Sequence, residues 1–209
     1  GSEKFAPPGT SPRSGGGYFE SIARLLAGVA DGLEYAHQKQ IIHRDIKPSN
    51  LLLSDDGRLH ISDFGLARVM AEPGVTQTGE VVGTPYYMAP EQINADIGEA
   101  DGRTDIYALG ATLYEMLTLR PPHPGTSRDV VLTSILGEEP TPPRRLNRRV
   151  PRDLETICLK ALEKDPAQRY ATAGVLGEDL RRFLSGMPVS ARRSGVVARG
   201  IKWCRRHPS

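Results

Sequence analysis

The residues best able to do chemistry cluster between positions 43 and 63. His43-Arg44-Asp45-Ile46-Lys47-Pro48-Ser49-Asn50 brings a carboxylate, an ammonium and an amide together, and Asp63-Phe64-Gly65 adds a second carboxylate after a short interval. A positioned carboxylate can handle a proton, and a lysine carries a compact positive charge that can meet an anion. Asn50 and Asp63 offer hard oxygens, the donors that suit Mg²⁺. A single Asp or Lys on a loop is ordinarily a solvated surface residue. The ordered set Asp45, Lys47, Asn50 and Asp63 carries the reading, followed downstream by Met88-Ala89-Pro90-Glu91.

The elements that must hold these residues are legible from periodicity. Ile22, Leu25, Leu26, Val29, Leu33 and Ala36 recur at three- and four-residue steps and predict a helix over about residues 18 to 38. Leu51-Leu52-Leu53 and Leu59-His60-Ile61, separated by Ser54-Asp55-Asp56-Gly57, predict a small hairpin between the two polar motifs. Residues 68 to 90 show no period and read as a long loop, a feature that compact domains keep for function. Three apolar stripes follow: Ile106, Leu109, Leu113, Met116 and Leu117; then Leu154, Ile157, Cys158, Ala161 and Leu162; then Val175, Leu176, Leu180, Phe183 and Leu184. A further helix is expected near 127 to 137. Pro121-Pro122, Pro140 to Pro143 and Pro166 punctuate the series, because proline lacks the amide a helix interior needs. The fold class expected is mainly α with one small β-hairpin.

With 209 residues, 38% of them hydrophobic, the chain can bury a core. Two cysteines, Cys158 and Cys204, make a disulfide framework or a zinc site improbable and suit a reducing, cytoplasmic setting. No stretch is apolar enough to span a membrane. The net charge of +2 is uneven: residues 181 to 209 hold eight Lys and Arg and no acid. Residues 1 to 17, rich in Pro, Gly and Ser, read as a flexible loop or fragment edge. His37, His60, His123 and His207 show no partner in the sequence, and His43 is read as a packed, structural histidine.

Residues 43–50, 63–65 and 88–91 together resemble the signatures of a protein kinase, in the family's order and spacing. The resemblance covers about residues 18–186 and implies the kinase-like fold of the C-terminal lobe, with catalytic loop 43–50 and activation segment 63–91. It implies ATP and Mg²⁺ as cofactors. Phosphoryl transfer passes through a loose, highly charged transition state, so the protein chiefly positions a hydroxyl and neutralises oxygens. On that resemblance Asp45 orients the substrate hydroxyl, Lys47 contacts the transferred phosphate, and Asn50 and Asp63 hold the metal. Leu52 forms the floor under adenine, and Thr84 bonds the catalytic Asp and Lys. Arg44 would hold a phosphorylated activation segment, with Thr76 and Thr78 as candidate phosphosites. Glu91 would pair with Arg169, and Asp105 would hold the catalytic-loop backbone. Lys47 after Ile46, with Gly83-Thr84-Pro85-Tyr86-Tyr87, is similar to serine/threonine rather than tyrosine kinases. Protein Ser/Thr hydroxyls are therefore the expected acceptors, with autophosphorylation allowed and no nucleic-acid partner expected.

The stretch from Pro151 to Pro166 looks like eukaryotic-type (Hanks-type) kinases of bacteria. No glycine-rich loop and no Val-Ala-Ile-Lys strand precede the first helix, so the N-terminal lobe is expected from a longer parent and weak activity from these residues alone. Residues 187–209 form a basic tail of juxtamembrane character, which would tie a membrane-anchored parent to a span outside this sequence. Two rivals stand beside this reading: a pseudokinase scaffold, which usually loses one of Asp45, Asn50 or Asp63, and a small-molecule phosphotransferase, which would not be expected to carry Ala89-Pro90-Glu91.

Overall fold

The computed structural model describes residues 16–63 and 85–191. Phe64, Gly65, Thr76, Thr78, Thr84 and the basic tail from residue 192 onward lie outside the described residues. The first helix, α1 (Gly16–Gln38), buries Ile22, Leu26, Val29 and Leu33. A 3-10 turn at Pro48–Asn50 leads into β1 (Leu51–Leu53), which pairs antiparallel with β2 (Leu59–Ile61) in the register Leu51 to Ile61 and Leu53 to Leu59. Gly57 closes the intervening turn with φ 77°, the left-handed region that favours glycine.

A short helix, α2 (Pro90–Ile93), precedes α3 (Gly102–Thr118), α4 (Arg128–Gly137), α5 (Pro143–Leu146), α6 (Arg152–Ala161) and α7 (Ala173–Leu184). Their starts are chemically marked. Asp101, Ser127 and Thr172 each accept a backbone N–H of the first turn of α3, α4 and α7 respectively. The core forms where α1, α3, α6 and α7 meet, around Leu26, Ile106, Leu109, Leu154, Ile157 and Leu180. Mainly α with one hairpin is what the described residues show. One position departs from its stripe: Val175, in the first turn of α7, is 42% exposed, and Ala173 and Leu176 face inward instead.

The histidines correct the sequence reading more deeply. His60 bonds Ser54 Oγ at 3.1 Å, and His37 reaches Asp105 Oδ2 at 2.7 Å. His123 is buried with Nδ1 3.0 Å from Ser134 Oγ. That hydroxyl donates to Glu138, so the imidazole N–H must lie on Nδ1. Nε2 is left without a hydrogen-bond partner among the described residues. These partners lie far away or on another element, and no local spacing announces them.

Burial, and then the positive charge of Lys164, pull the His123 pKa from its usual 6.5 to about 3. The folded state therefore refuses a proton that the unfolded chain accepts. The contribution to stability is complete above the unfolded pKa and is lost as pH falls toward the folded one, at roughly 1.4 kcal/mol per unit. Urea unfolding of the wild-type chain and of His123→Phe checks this. The stability difference between them should shift by about 2 kcal/mol in the variant's favour from pH 7 to pH 5, whereas parallel pH profiles would contradict it.

Candidate active site

The site rests on Asp105, a fully buried carboxylate in the first turn of α3. Its Oδ2 accepts the His43 backbone N–H at 2.9 Å and its Oδ1 accepts that of Arg44 at 2.7 Å. His37 adds a third bond from α1, and since a carboxylate only accepts, His37 Nε2 is the donor. The approach of α3 to His37 is so close that a Cβ at Gly102 would lie 2.7 Å from His37 Nδ1.

Held this way, Arg44 adopts φ 68°, a left-handed backbone that costs a non-glycine residue roughly 1 kcal/mol. Its carbonyl is fixed as well, by Gln92 Nε2 at 3.0 Å. The same Gln92 turns its Oε1 to the Ala89 N–H at 2.8 Å, so one side chain joins α2 to the loop at Arg44. His43 is fully buried, with Nε2 donating to the Ser62 carbonyl at 2.8 Å and Nδ1 accepting the Asp45 N–H at 3.3 Å. With both ring nitrogens engaged, His43 packs as structure.

Asp45 and Asp63 project into solvent from this buried base, while Asn50 is itself buried. Asp45 has a side chain 53% exposed, and Lys47 Nζ meets its Oδ2 at 2.7 Å. Asn50 donates from Nδ2 to the Asp45 carbonyl at 2.8 Å and to Asp45 Oδ2 at 3.0 Å. Those two bonds orient the Asn50 amide and turn Oδ1 away from Asp45. Ser62 then links the hairpin's far end: its N–H donates to the Asn50 carbonyl at 2.9 Å, and its hydroxyl lies 3.2 Å from Asp63 Oδ2. Asp63 is exposed and adopts φ 61°, a conformation aspartate tolerates better than most residues. Leu52 projects on the opposite strand face from Leu51 and Leu53 and is 55% exposed.

Among the described residues no group of three His, Cys, Asp or Glu side chains is arranged to hold a metal. Two hard oxygens, Asn50 Oδ1 and the Asp63 carboxylate, are available instead. This sparse donor set fits an ion such as Mg²⁺, which keeps waters and substrate phosphates as its remaining ligands. The arrangement can orient a hydroxyl at Asp45 and neutralise an anion at Lys47.

Behind the tips, Glu91 and Arg169 form a buried bidentate pair with contacts of 2.6 and 2.7 Å. Arg169 also donates to the carbonyls of Glu163, Arg103 and Lys164, so all five guanidinium N–H groups are satisfied. Its guanidinium carbon lies 5.0 Å from the centre of the Tyr107 ring. Burial alone would raise the Glu91 pKa; the hydrogen bonds and charge of Arg169, with Thr104 Oγ1 at 3.0 Å, leave it below the usual carboxylate value. At the preceding turn, Tyr87 donates to Glu115 on α3 and Tyr86 to the Gly125 carbonyl at 3.4 Å. Sequence reasoning missed His37 and Gln92. Only the second had a signal, because a glutamine three residues after Ala89 can reach back to that residue's N–H at a helix start.

A base of helices thus carries a two-stranded hairpin and a lip formed by Asp45, Asn50 and Asp63. The chain matches the protein kinase domain over residues 16–180 and belongs to that family. Three bacterial proteins illustrate the similarity. It is 40% identical over 184 residues to the probable serine/threonine-protein kinase SCO3848 of Streptomyces coelicolor, covering 87% of this chain and 27% of that protein. It is 42% identical over 173 residues to the serine/threonine-protein kinase PknB of Mycobacterium leprae, covering 82% and 28%. To the probable serine/threonine-protein kinase PknB of Bifidobacterium longum it is 40% identical over 171 residues, covering 80% and 24%. The chain thus spans about a quarter of the length of these curated relatives.

Glu91→Gln keeps the shape of the pair and removes its negative charge, leaving Arg169 buried without a counter-ion. The expected loss is on the order of 3–5 kcal/mol in urea unfolding. A loss below about 1 kcal/mol, the worth of a solvated surface pair, would show that the pair is not buried as described.

Proposed function

We propose that the protein containing this chain transfers the γ-phosphoryl group of ATP to serine and threonine hydroxyls of proteins. The observation that carries this reading is the Asn50 amide, which bonds both the backbone and the carboxylate of Asp45 while Lys47 meets the same carboxylate oxygen. Asp45 takes the role of orienting the substrate hydroxyl and accepting its proton. Lys47, two residues on, faces the phosphoryl oxygens. Asn50 and Asp63 serve as the protein's ligands to Mg²⁺, which when bound neutralises charge on the phosphates. Leu52, exposed on the first strand of the hairpin, supplies an apolar floor for adenine.

Thr84 bonds Asp45 and Lys47 in this reading, and Arg44 receives a phosphate carried by Thr76 or Thr78. A buried Arg44 Nε without a hydrogen-bond partner among the described residues suits that role. Residues 18–186 act as the C-terminal lobe, with activation segment 63–91, and 187–209 as a basic juxtamembrane tail. The nucleotide lid and the lysine on the α and β phosphates come from an N-terminal lobe of the parent. Tyr35, Ile41, Leu52 and Leu53 support that assignment, since all four are large, apolar and at least 45% exposed at the hairpin and the end of α1. The domain would work in the cytoplasm, with any membrane anchor in the parent; no helix of the described residues is long and apolar enough to cross a bilayer. No observation favours the pseudokinase reading, since Asp45, Asn50 and Asp63 are all present, or the small-molecule reading, since Ala89-Pro90-Glu91 follows them.

Asp45→Asn in the parent protein should lower ATP-dependent peptide phosphorylation on the order of a hundredfold or more, with little change in the apparent KM for ATP. Equal rates in a radiolabelled transfer assay would remove Asp45 from this role. The isolated 209 residues should phosphorylate poorly.

A further inference from the structure

Between Thr141 and Arg152 the chain crosses the outer surface of the helical base as a strap, and its chemistry is unlike that of the rest of the molecule. Five arginines fall in this stretch, at 144, 145, 148, 149 and 152, with no acid between Pro140 and Arg152. Elsewhere the body is acidic: residues 1 to 180 hold 19 basic and 25 acidic side chains in all.

The strap is pinned from both sides. Tyr114 on α3 donates to the Thr141 carbonyl at 2.7 Å, and Asn147 Nδ2 donates to the Leu117 carbonyl at 3.1 Å. From α6, Glu155 accepts the Arg144 N–H at 2.8 Å. Pro143 and Val150 turn inward and are buried. The side chains left outward are Arg145, Leu146, Arg148, Arg149 and Arg152, all exposed. None of those four arginines makes an ion pair or a side-chain hydrogen bond with a described residue. Carboxylates could have covered them and do not.

Beside the strap stands a second anomaly. Leu119 caps α3 with φ 59°, where glycine is the ordinary residue, and it is 81% exposed. A leucine here bears backbone strain and buries nothing. The Asn147 bond to Leu117 draws the end of α3 to the end of α5, which carries Leu146, 44% exposed. Two protruding leucines are thereby set among uncompensated arginines.

We propose that this face binds an anionic lipid surface, with the arginines on lipid phosphates and Leu119 and Leu146 entering the headgroup region. Arginine charge alone would also suit an acidic peptide or a nucleic acid, but a solvated polyanion offers the leucines nothing. A bilayer takes up both kinds of side chain, and interfacial binding scales with buried apolar area together with attraction to anionic lipid. The contact is made by the folded domain and needs no membrane span.

Vesicle flotation of the full 209-residue chain tests the proposal, using phosphatidylcholine alone and phosphatidylcholine mixed with phosphatidylglycerol. The chain should float with the anionic vesicles only, and less as salt is raised. Arg145→Gln, Arg148→Gln and Arg149→Gln combined should weaken that binding on the order of a hundredfold, each arginine near an anionic surface contributing about fivefold. Leu119→Gly separates binding from folding. It should raise the melting temperature by removing the strain, yet lower vesicle affinity by about tenfold. Glutamine at Arg192, Arg193, Arg199, Lys202, Arg205 and Arg206 controls for the basic tail and should weaken binding less than the strap variant. The proposal is overturned if the strap variant floats like the wild type, if Leu119→Gly leaves affinity unchanged, or if the tail variant alone abolishes binding. It is equally overturned if polyglutamate or a DNA duplex is bound while anionic vesicles are not.

Discussion

A single buried carboxylate fixes the backbone from which the site is built. Asp105 has no access to solvent, a costly position for a charge unless strong donors replace the water it lost. It has three: two consecutive backbone amides and an imidazole N–H, all within 2.9 Å. Hydrogen bonds to an ionised acceptor are the strong ones, and two of them fall on adjacent peptide groups. That leaves the chain at His43 and Arg44 almost no freedom. The left-handed turn at Arg44 is the visible result, held at its N–H by Asp105 and at its carbonyl by Gln92. Asp45 follows immediately, and its direction into solvent is inherited from that turn.

The second anchor holds the far end of the long segment that begins at Asp63. Glu91 and Gln92 are neighbours in one short helix, and they face different duties. Glu91 locks into Arg169 at the base, while Gln92 reaches the Arg44 carbonyl. A buried ion pair is weak evidence for extra stability, since desolvation consumes much of its Coulombic gain. What five satisfied donors and a bidentate contact do supply is a fixed geometry. Rigidity is therefore concentrated behind the site. Asp45 and Asp63 remain exposed at its lip.

Much of this was legible because it is local. The apolar period of α1, the leucine runs around Asp56-Gly57 and the stripe of α3 each report a face that must be buried, and each element lies where its period put it. The spacing from Asp45 to Asn50 was equally readable, since both ends of their contact lie in one loop. What escaped was set by tertiary packing. His37 is 68 residues from Asp105, and its role depends on how closely α3 approaches α1 at Gly102. His123 sits among prolines with no visible partner, and only the fold brings it beside Ser134 and Lys164. Val175 fitted a helical stripe by spacing and still faces water, because the first turn of α7 rotates Ala173 and Leu176 toward the core instead.

The dependence of the loop at residues 43–50 on Asp105 is open to direct measurement by hydrogen exchange at individual amides in the wild-type chain and in Asp105→Asn. The wild-type amides of His43 and Arg44 should be strongly protected. In the variant, where one acceptor oxygen becomes a donor, at least one of them should exchange about tenfold faster or more, while the Gln92 amide in α2 keeps its protection. Wild-type amides at 43 and 44 that exchange as fast as in an unfolded chain, or a variant with unchanged protection, would contradict the account.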